Sequence, residues 1–171
     1  PERLRLPGQT GTARVIGLIP DQIVTDDRAM EVEAVDGLLQ PDPARDLLKI
    51  AVVERYGQGR VGVGLLHGLG LKAGAMASSV AHDAHNIVVV GTNDADMVAA
   101  VREIERLQGG LVVTQDGAIV DQLPLPIGGL MSSLPIADVA QTLERLDQLV
   151  ASMGVQVAHP KSLVIDIAGD A

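Results

Sequence analysis

The chain contains no cysteine, no phenylalanine and no tryptophan, and its one tyrosine is Tyr56. Without cysteine there is neither a disulfide framework nor a thiolate metal site, which agrees with a reducing compartment. Zinc deaminases of the cytidine type, which need a Pro-Cys-x-x-Cys pair as ligands, are excluded for the same reason. Without Phe or Trp the core has to be filled by Val, Leu, Ile, Ala and Met, and a nucleobase site has almost no ring faces for stacking. Long apolar runs are missing too: none approaches the roughly 20 residues of a membrane span. The opening residues Pro1-Glu2-Arg3 lack signal-peptide character. A cytoplasmic protein with no membrane partner is expected. Clustered positive charge is also absent. Lys and Arg are scattered through a chain of formal net charge −9, so a polyanion is repelled over most of the surface and nucleic acid is not an expected partner.

What is present is the balance of a folded protein: 171 residues, 47% hydrophobic and 20% charged, enough for one core and one domain spanning residues 1–171. Arg3 to Leu6 and Thr12 to Ile19 read as two early strands separated by Pro7-Gly8 and Thr10-Gly11. Asp26-Asp27 reads as a turn, and Met30, Val32 and Val35 as a half-exposed strand. Gln40-Pro41-Asp42-Pro43 is a non-helical loop. Leu47 to Val53 and Arg60 to Leu66, joined at Tyr56 to Gly59, form a hairpin. Ile87 to Val90, apolar at every position, predicts a buried strand. Thr92 or Asn93 caps a helix carrying Asp94 and Asp96 in its first turn and Met97, Val98, Val101, Ile104 and Leu107 as its apolar set, and Gly109-Gly110 stops it. Leu111 to Thr114 and Ala118 to Leu123 flank an Asp116-Gly117 turn. Pro135 opens a second helix, Gly154 lies beyond its end, and Leu163 to Ile167 reads as a last strand. The expected fold class is α+β, a mainly antiparallel sheet flanked by helices.

Chemistry concentrates in Ser78-Ser79-Val80-Ala81-His82-Asp83-Ala84-His85-Asn86. Two imidazoles and a carboxylate within four positions can chelate a divalent metal from a loop. In a regular strand His82 and His85 would face opposite sides. The plainer reading is that Asp83 and Asn86 satisfy turn backbone while one His is a hydrogen-bonded core residue, and spacing leaves both open. Gly64 to Gly74 with Lys72 lacks the Gly-x-x-x-x-Gly-Lys-Ser/Thr pattern of a phosphate loop, so its glycines are read as permitting a tight path. Glu54-Arg55, at a strand end, reads either as a surface pair or as part of a cleft. His67 and His159 stand alone, and Gly128-Gly129 with Met131 and Ser132-Ser133 reads as a helix lead-in.

Five segments in order resemble the C-terminal region of prokaryotic adenine deaminases. They are Val53-Glu54-Arg55-Tyr56-Gly57, Gly64 to Ala75, Ser78 to Gly91, Gly109-Gly110-Leu111-Val112-Val113 and Leu123 to Ser132. The resemblance runs from about Leu47 to about Met153. It implies a full enzyme of the amidohydrolase kind, a metal-dependent barrel hydrolysing adenine to hypoxanthine and ammonia in purine salvage, followed by this smaller domain. The divalent metal, manganese, iron or zinc, would sit in the barrel: the His-x-His pair that opens such ligand sets is absent here, and no cofactor is expected in this chain. His82, Asp83, His85 and Asn86 are then candidates to face the barrel and complete or order the purine site, with Ser78 and Ser79 as candidate substrate contacts. The implied partners are adenine, the barrel domain and further copies in a homo-oligomer, with exposed apolar surface where the barrel docks. A module that binds or oligomerises without catalysis is the alternative, and a His-Asp-x-His cluster with its own metal is a third reading. Beyond His159-Pro160, Lys161 to Asp170 departs from the longer proline-containing apolar segment that the resemblance implies, as expected of a divergent or shortened member.

Overall fold

Two largely apolar stretches, rich in Val, Ile and Leu, set the centre of the structure, because strands of that composition need cover on both faces. The computed structural model describes every residue except Pro1, Pro20, Asp21, Ile23, Gln58, His82, Asp83 and residues 157–171. The described strands are β1 (Gly11–Leu18), β2 (Thr25–Val32), β3 (Ala34–Val35), β4 (Leu38–Leu39), β5 (Leu47–Val53), β6 (Val61–His67), β7 (Ala75–Ser78), β8 (Ile87–Gly91), β9 (Gly110–Gln115) and β10 (Ala118–Pro124). The two helices are α1 (Asp94–Leu107) and α2 (Ile136–Ser152). Eight strands make one sheet in the order β10-β9-β7-β8-β5-β6-β1-β2, and β3 pairs with β4 apart from it. All neighbours in the large sheet are antiparallel except β1 and β6. The fold is therefore α+β with a mainly antiparallel sheet. No helix among the described residues is long and apolar enough to cross a membrane.

The period-two alternation of a strand divides the core between the two helices. From β8, Ile87 and Val89 face Met97, Ala100 and Ile104 of α1, joined by Ala51, Ala75, Ala77 and Val112. Val88 and Val90 face the other way, with Leu48, Ile50, Val113 and Leu123, and are covered by Leu146 and Val150 of α2 and by Leu69 and Leu71. The α1 side is lined with small residues, so this helix sits close: a side chain at Gly91 would run into Met97 and Ala75. That close approach is how a core without Phe or Trp reaches native packing density. A third cluster, Val15, Val32, Leu39, Leu47 and Leu65, anchors β1 and β2.

Helix α1 begins as expected. Asn93 is its N-cap, its side chain accepting from the Asp96 amide at 2.9 Å. Asp96 is buried, and its carboxylate accepts from the Gly117 amide at 2.6 Å and from the Asn93 side chain at 2.7 Å, so it ties the β9–β10 turn to the helix. Beside it Lys49, buried in β5, donates to Asp94 at 2.6 Å.

Two local readings are corrected by the structure. Arg3 to Leu6 is not a strand, because Glu2–Leu4 forms a 3-10 turn that buries Leu4 against the α1-side cluster. Asp26 and Asp27 lie inside β2 instead of in a turn. On this edge strand their carboxylates point to solvent and meet Arg28 at 3.5 Å and Arg14 at 2.8 Å, and charge on an open edge discourages pairing with another chain. The expected loop Gln40 to Pro43 ends in a short 3-10 turn, Pro43–Arg45, capped by the Asp42 carboxylate on the Ala44 and Arg45 amides. The strand expected at Leu163 to Ile167 lies outside the described residues.

Two predictions come from this frame. Asp94→Ala leaves the Lys49 ammonium buried without its partner, and because Asp94 is partly open to water the loss should be about 1–3 kcal/mol, at the low end for a broken buried pair. Urea unfolding of the variant measures it, and Lys49→Met should be the milder change. The second concerns Asp121 of β10. The Arg145 guanidinium of α2, at 2.5 and 2.9 Å, holds this carboxyl below the usual carboxylate range through its hydrogen bonds, desolvation opposing the shift in part. A depressed folded value means the contribution is complete above the unfolded value of about 3.9 and is lost as pH falls through the folded one. The stability gap between wild type and Asp121→Asn should therefore be flat from neutral pH down to about pH 5 and close below about pH 4, as read from denaturant midpoints.

Candidate functional site

Strand register gathers most of the quoted segments at one end of the sheet. Val53, the last residue of β5, stands opposite Ile87, the first of β8. Ser78, the last of β7, stands opposite Val88 and Leu111, and Pro124 at the end of β10 pairs with Gly110. The segments at 53–57, 78–87, 109–113 and 123–132 therefore meet. The Gly64 to Ala75 segment lies mainly at the opposite end. There the amides of Gly68 and Gly70 donate to the carboxylate of Asp46, at 3.0 and 2.6 Å. The amides that a phosphate would use are occupied by the protein's own anion.

At the first end, Arg55 is the hub. Its backbone amide donates to Asn86 Oδ1 at 3.2 Å. Its guanidinium donates through Nη1 to the Gly128 carbonyl at 2.7 Å and through Nη2 to the Gln108 carbonyl at 2.6 Å, and it stands 4.9 Å over the Tyr56 ring. Gln108 is the C-cap of α1, where a cation meets the negative end of the helix dipole. The planar fork of Arg suits two acceptors on separate loops, which a lysine does not match. Glu54 accepts from the backbone and side chain of Arg60 across the β5–β6 turn, at 3.1 and 2.9 Å.

The two diglycine segments pack directly on each other. A side chain at Gly109, where φ is +131°, would strike the Gly129 backbone, and one at Gly129, where φ is +77°, would strike the Arg55 guanidinium. Ser79 fixes the pair from below. It is fully buried, its hydroxyl donates to the Gly129 carbonyl at 2.6 Å and accepts from the Gly110 amide at 2.8 Å, and its own amide donates to the Gly110 carbonyl. Ser78 is also buried, and its hydroxyl accepts from the Val80 amide at 3.0 Å. Both serine hydroxyls are thus directed at backbone groups.

His85 and Asn86 lie at the entry to β8 and are half-buried. His85 takes the left-handed conformation, φ +48°, and its amide donates to the Ala81 carbonyl. A non-glycine residue in that region carries strain of order 1 kcal/mol or more. Its Nδ1 is buried without a hydrogen-bond partner among the described residues. His82 and Asp83 lie outside the described residues. Among the described residues no group of three or more His, Asp or Glu side chains is placed to hold a metal ion. His67, at the far end, is bonded to Arg28 through Nδ1 at 2.7 Å. The sequence had left Arg55 between a surface pair and a cleft. The only local signal for its role is an arginine placed between a buried strand and a glycine turn.

An α+β domain with most of its quoted segments gathered at one sheet end is a class to which comparison adds a family. The family model for the adenine deaminase C-terminal domain matches residues 22–166, and the chain belongs to that family. It is 51% identical over 156 residues to "Adenine deaminase 2" of Carboxydothermus hydrogenoformans, covering 91% of this chain and 27% of that protein. It is 46% identical over 158 residues to an adenine deaminase of Dehalococcoides mccartyi, covering 92% and 28%. With an adenine deaminase of Desulforamulus reducens the identity is 48% over 163 residues, covering 94% and 28%. The chain thus spans little more than a quarter of the length of the curated relatives it matches.

Ser79→Ala should destabilise the domain by about 1–3 kcal/mol, because it strips a buried amide and a buried carbonyl of their shared partner. It should also loosen the diglycine contact, seen as faster amide exchange at Gly110 and through the 125–131 loop.

Proposed function

We propose that this domain serves an enzyme that hydrolyses adenine to hypoxanthine and ammonia, packing on the catalytic barrel of the same protein and completing or ordering its purine site. The reaction adds water across the C–N bond of the amino-bearing ring carbon and releases ammonia. In this reading the divalent metal, manganese, iron or zinc, belongs to the barrel, and the enzyme is a cytoplasmic homo-oligomer of purine salvage. The residues of this chain that face the site are His82, Asp83, His85 and Asn86. Ser78 and Ser79 support them by holding backbone, and a substrate contact from either runs through the loops they fix.

The observation that carries the reading is the chain of contacts from Ser79 through Gly129, Gly128 and Arg55 to Asn86, ending beside a strained His85 with an unpartnered, buried Nδ1. Buried polar atoms without partners are rare in native proteins, and residues held in left-handed backbone persist where the surroundings over-determine them. Both features fit an imidazole whose partner comes from outside the domain.

His85→Ala in the full-length protein, assayed by ammonia release from adenine, should lower kcat/KM by about 10–100-fold, the scale of a misplaced reacting group. Turnover equal to wild type would sink the reading.

A further inference from the structure

The sequence carries 35 charged residues, yet none between Asp121 and Asp138, which leaves residues 122–137 as its longest uncharged run. That run holds four of the large hydrophobic side chains that the fold leaves in water: Ile127 at 48% exposure, Met131 at 59%, Leu134 at 45% and Ile136 at 83%. Tyr56, 62% exposed, adjoins them through its hydroxyl on the Gly128 carbonyl, at 3.4 Å. The fully buried residues of α2, Leu146 and Val150, lie in its C-terminal half, while Val139 and Leu143 pack on the core only partly buried. An exposed apolar cluster rimmed by polar residues marks an interaction site more often than scattered single hydrophobes do.

Two observations choose the occupant. The matched family is a C-terminal domain, and the relatives are more than three times the aligned length, so their additional chain lies on the N-terminal side. In this structure the N-terminal segment is held at the same end of the sheet. The Arg3 guanidinium donates to the Gly59 carbonyl in the β5–β6 turn, and Leu4 is buried beside that turn among the α1-side residues. Chain arriving from the N-terminal side therefore enters next to Tyr56.

We propose that Tyr56, Ile127, Met131, Leu134 and Ile136 form the face on which the N-terminal part of the same protein docks. This rests on the reading that the domain serves a catalytic barrel, and it adds which surface meets it. A contact of this kind buries roughly 600–1,500 Å². Arg55 and the diglycine pair set the shape of the face by holding the 127–131 turn.

Met131 is a native reporter. In the full-length enzyme treated with dilute hydrogen peroxide, peptide mass spectrometry should find Met131 oxidised at least about tenfold more slowly than free methionine, since susceptibility follows exposure. Oxidation at the free rate overturns the proposal. The double variant Met131→Glu/Ile136→Glu in the full-length enzyme should split one cooperative unfolding transition into two and expose the interdomain junction to protease, with subunit number unchanged. Val24→Glu, at the opposite end of the sheet and 58% exposed, should do neither. If the double variant separates subunits while the domains stay coupled, the face belongs to a second copy and the proposal falls. A protected Met131 together with a neutral His85→Ala would retain the docking face and discard the catalytic reading.

Discussion

Every residue of β8 is removed from water, and the rest of the structure is arranged to make that possible. A strand buried on both faces needs neighbours at both edges and cover above and below. β5 and β7 supply the edges, α1 one layer, and α2 with the Leu69 to Leu71 segment the other. With Phe and Trp absent from the chain, that cover comes from small and branched aliphatic residues at close range. This is why Gly91 and the alanines of β5 and β7 lie beneath α1. The same strand fixes the functional end, because its first residue follows directly on His85 and Asn86.

Where sequence signals were local, they located the elements. The apolar run at 47–53, the buried run at 87–90, the Asn93 cap with its i, i+3, i+4 apolar set, and the Asp-Gly turn each carry their own physical cause within a few residues. Signals failed where a distant partner decided the outcome. Asp26 and Asp27 resemble a turn in isolation, but the hairpin register places them opposite Gly17 and Ile16 on an open edge where charge is favourable. Arg3 to Leu6 resembles a strand until Leu4 is buried in the α1-side cluster. No rule of local propensity contains those contacts.

The functional end was legible in part for the same reason. Density of polar groups singled out residues 78–86, and the structure puts Ser78, Ser79, His85 and Asn86 at one sheet end. Spacing did not reveal that the two serines are committed to backbone groups, because the amide and carbonyl that hold Ser79 belong to residues 31 and 50 positions away. Nor did it reveal Arg55 as the hub, since its acceptors at Gln108 and Gly128 lie 53 and 73 positions along the chain. The glycine-rich 64–74 segment shows the same limit. It reads as a tight path without the phosphate-loop pattern, and the sequence does not show that the amides of Gly68 and Gly70 are taken by Asp46.

What this end presents outward follows from how it is built. Backbone carbonyls of Gln108, Gly128 and Gly129 are consumed by Arg55 and Ser79, glycines leave no side chains to project, and Asn86 is engaged by the Arg55 amide. The imidazole of His85, the amide nitrogen of Asn86 and a rim of apolar side chains remain among the described groups. A surface of that composition has a defined shape set by its backbone contacts. The loop network holds that shape: loosening Ser79 or Arg55 moves the 127–131 turn, and with it the apolar rim.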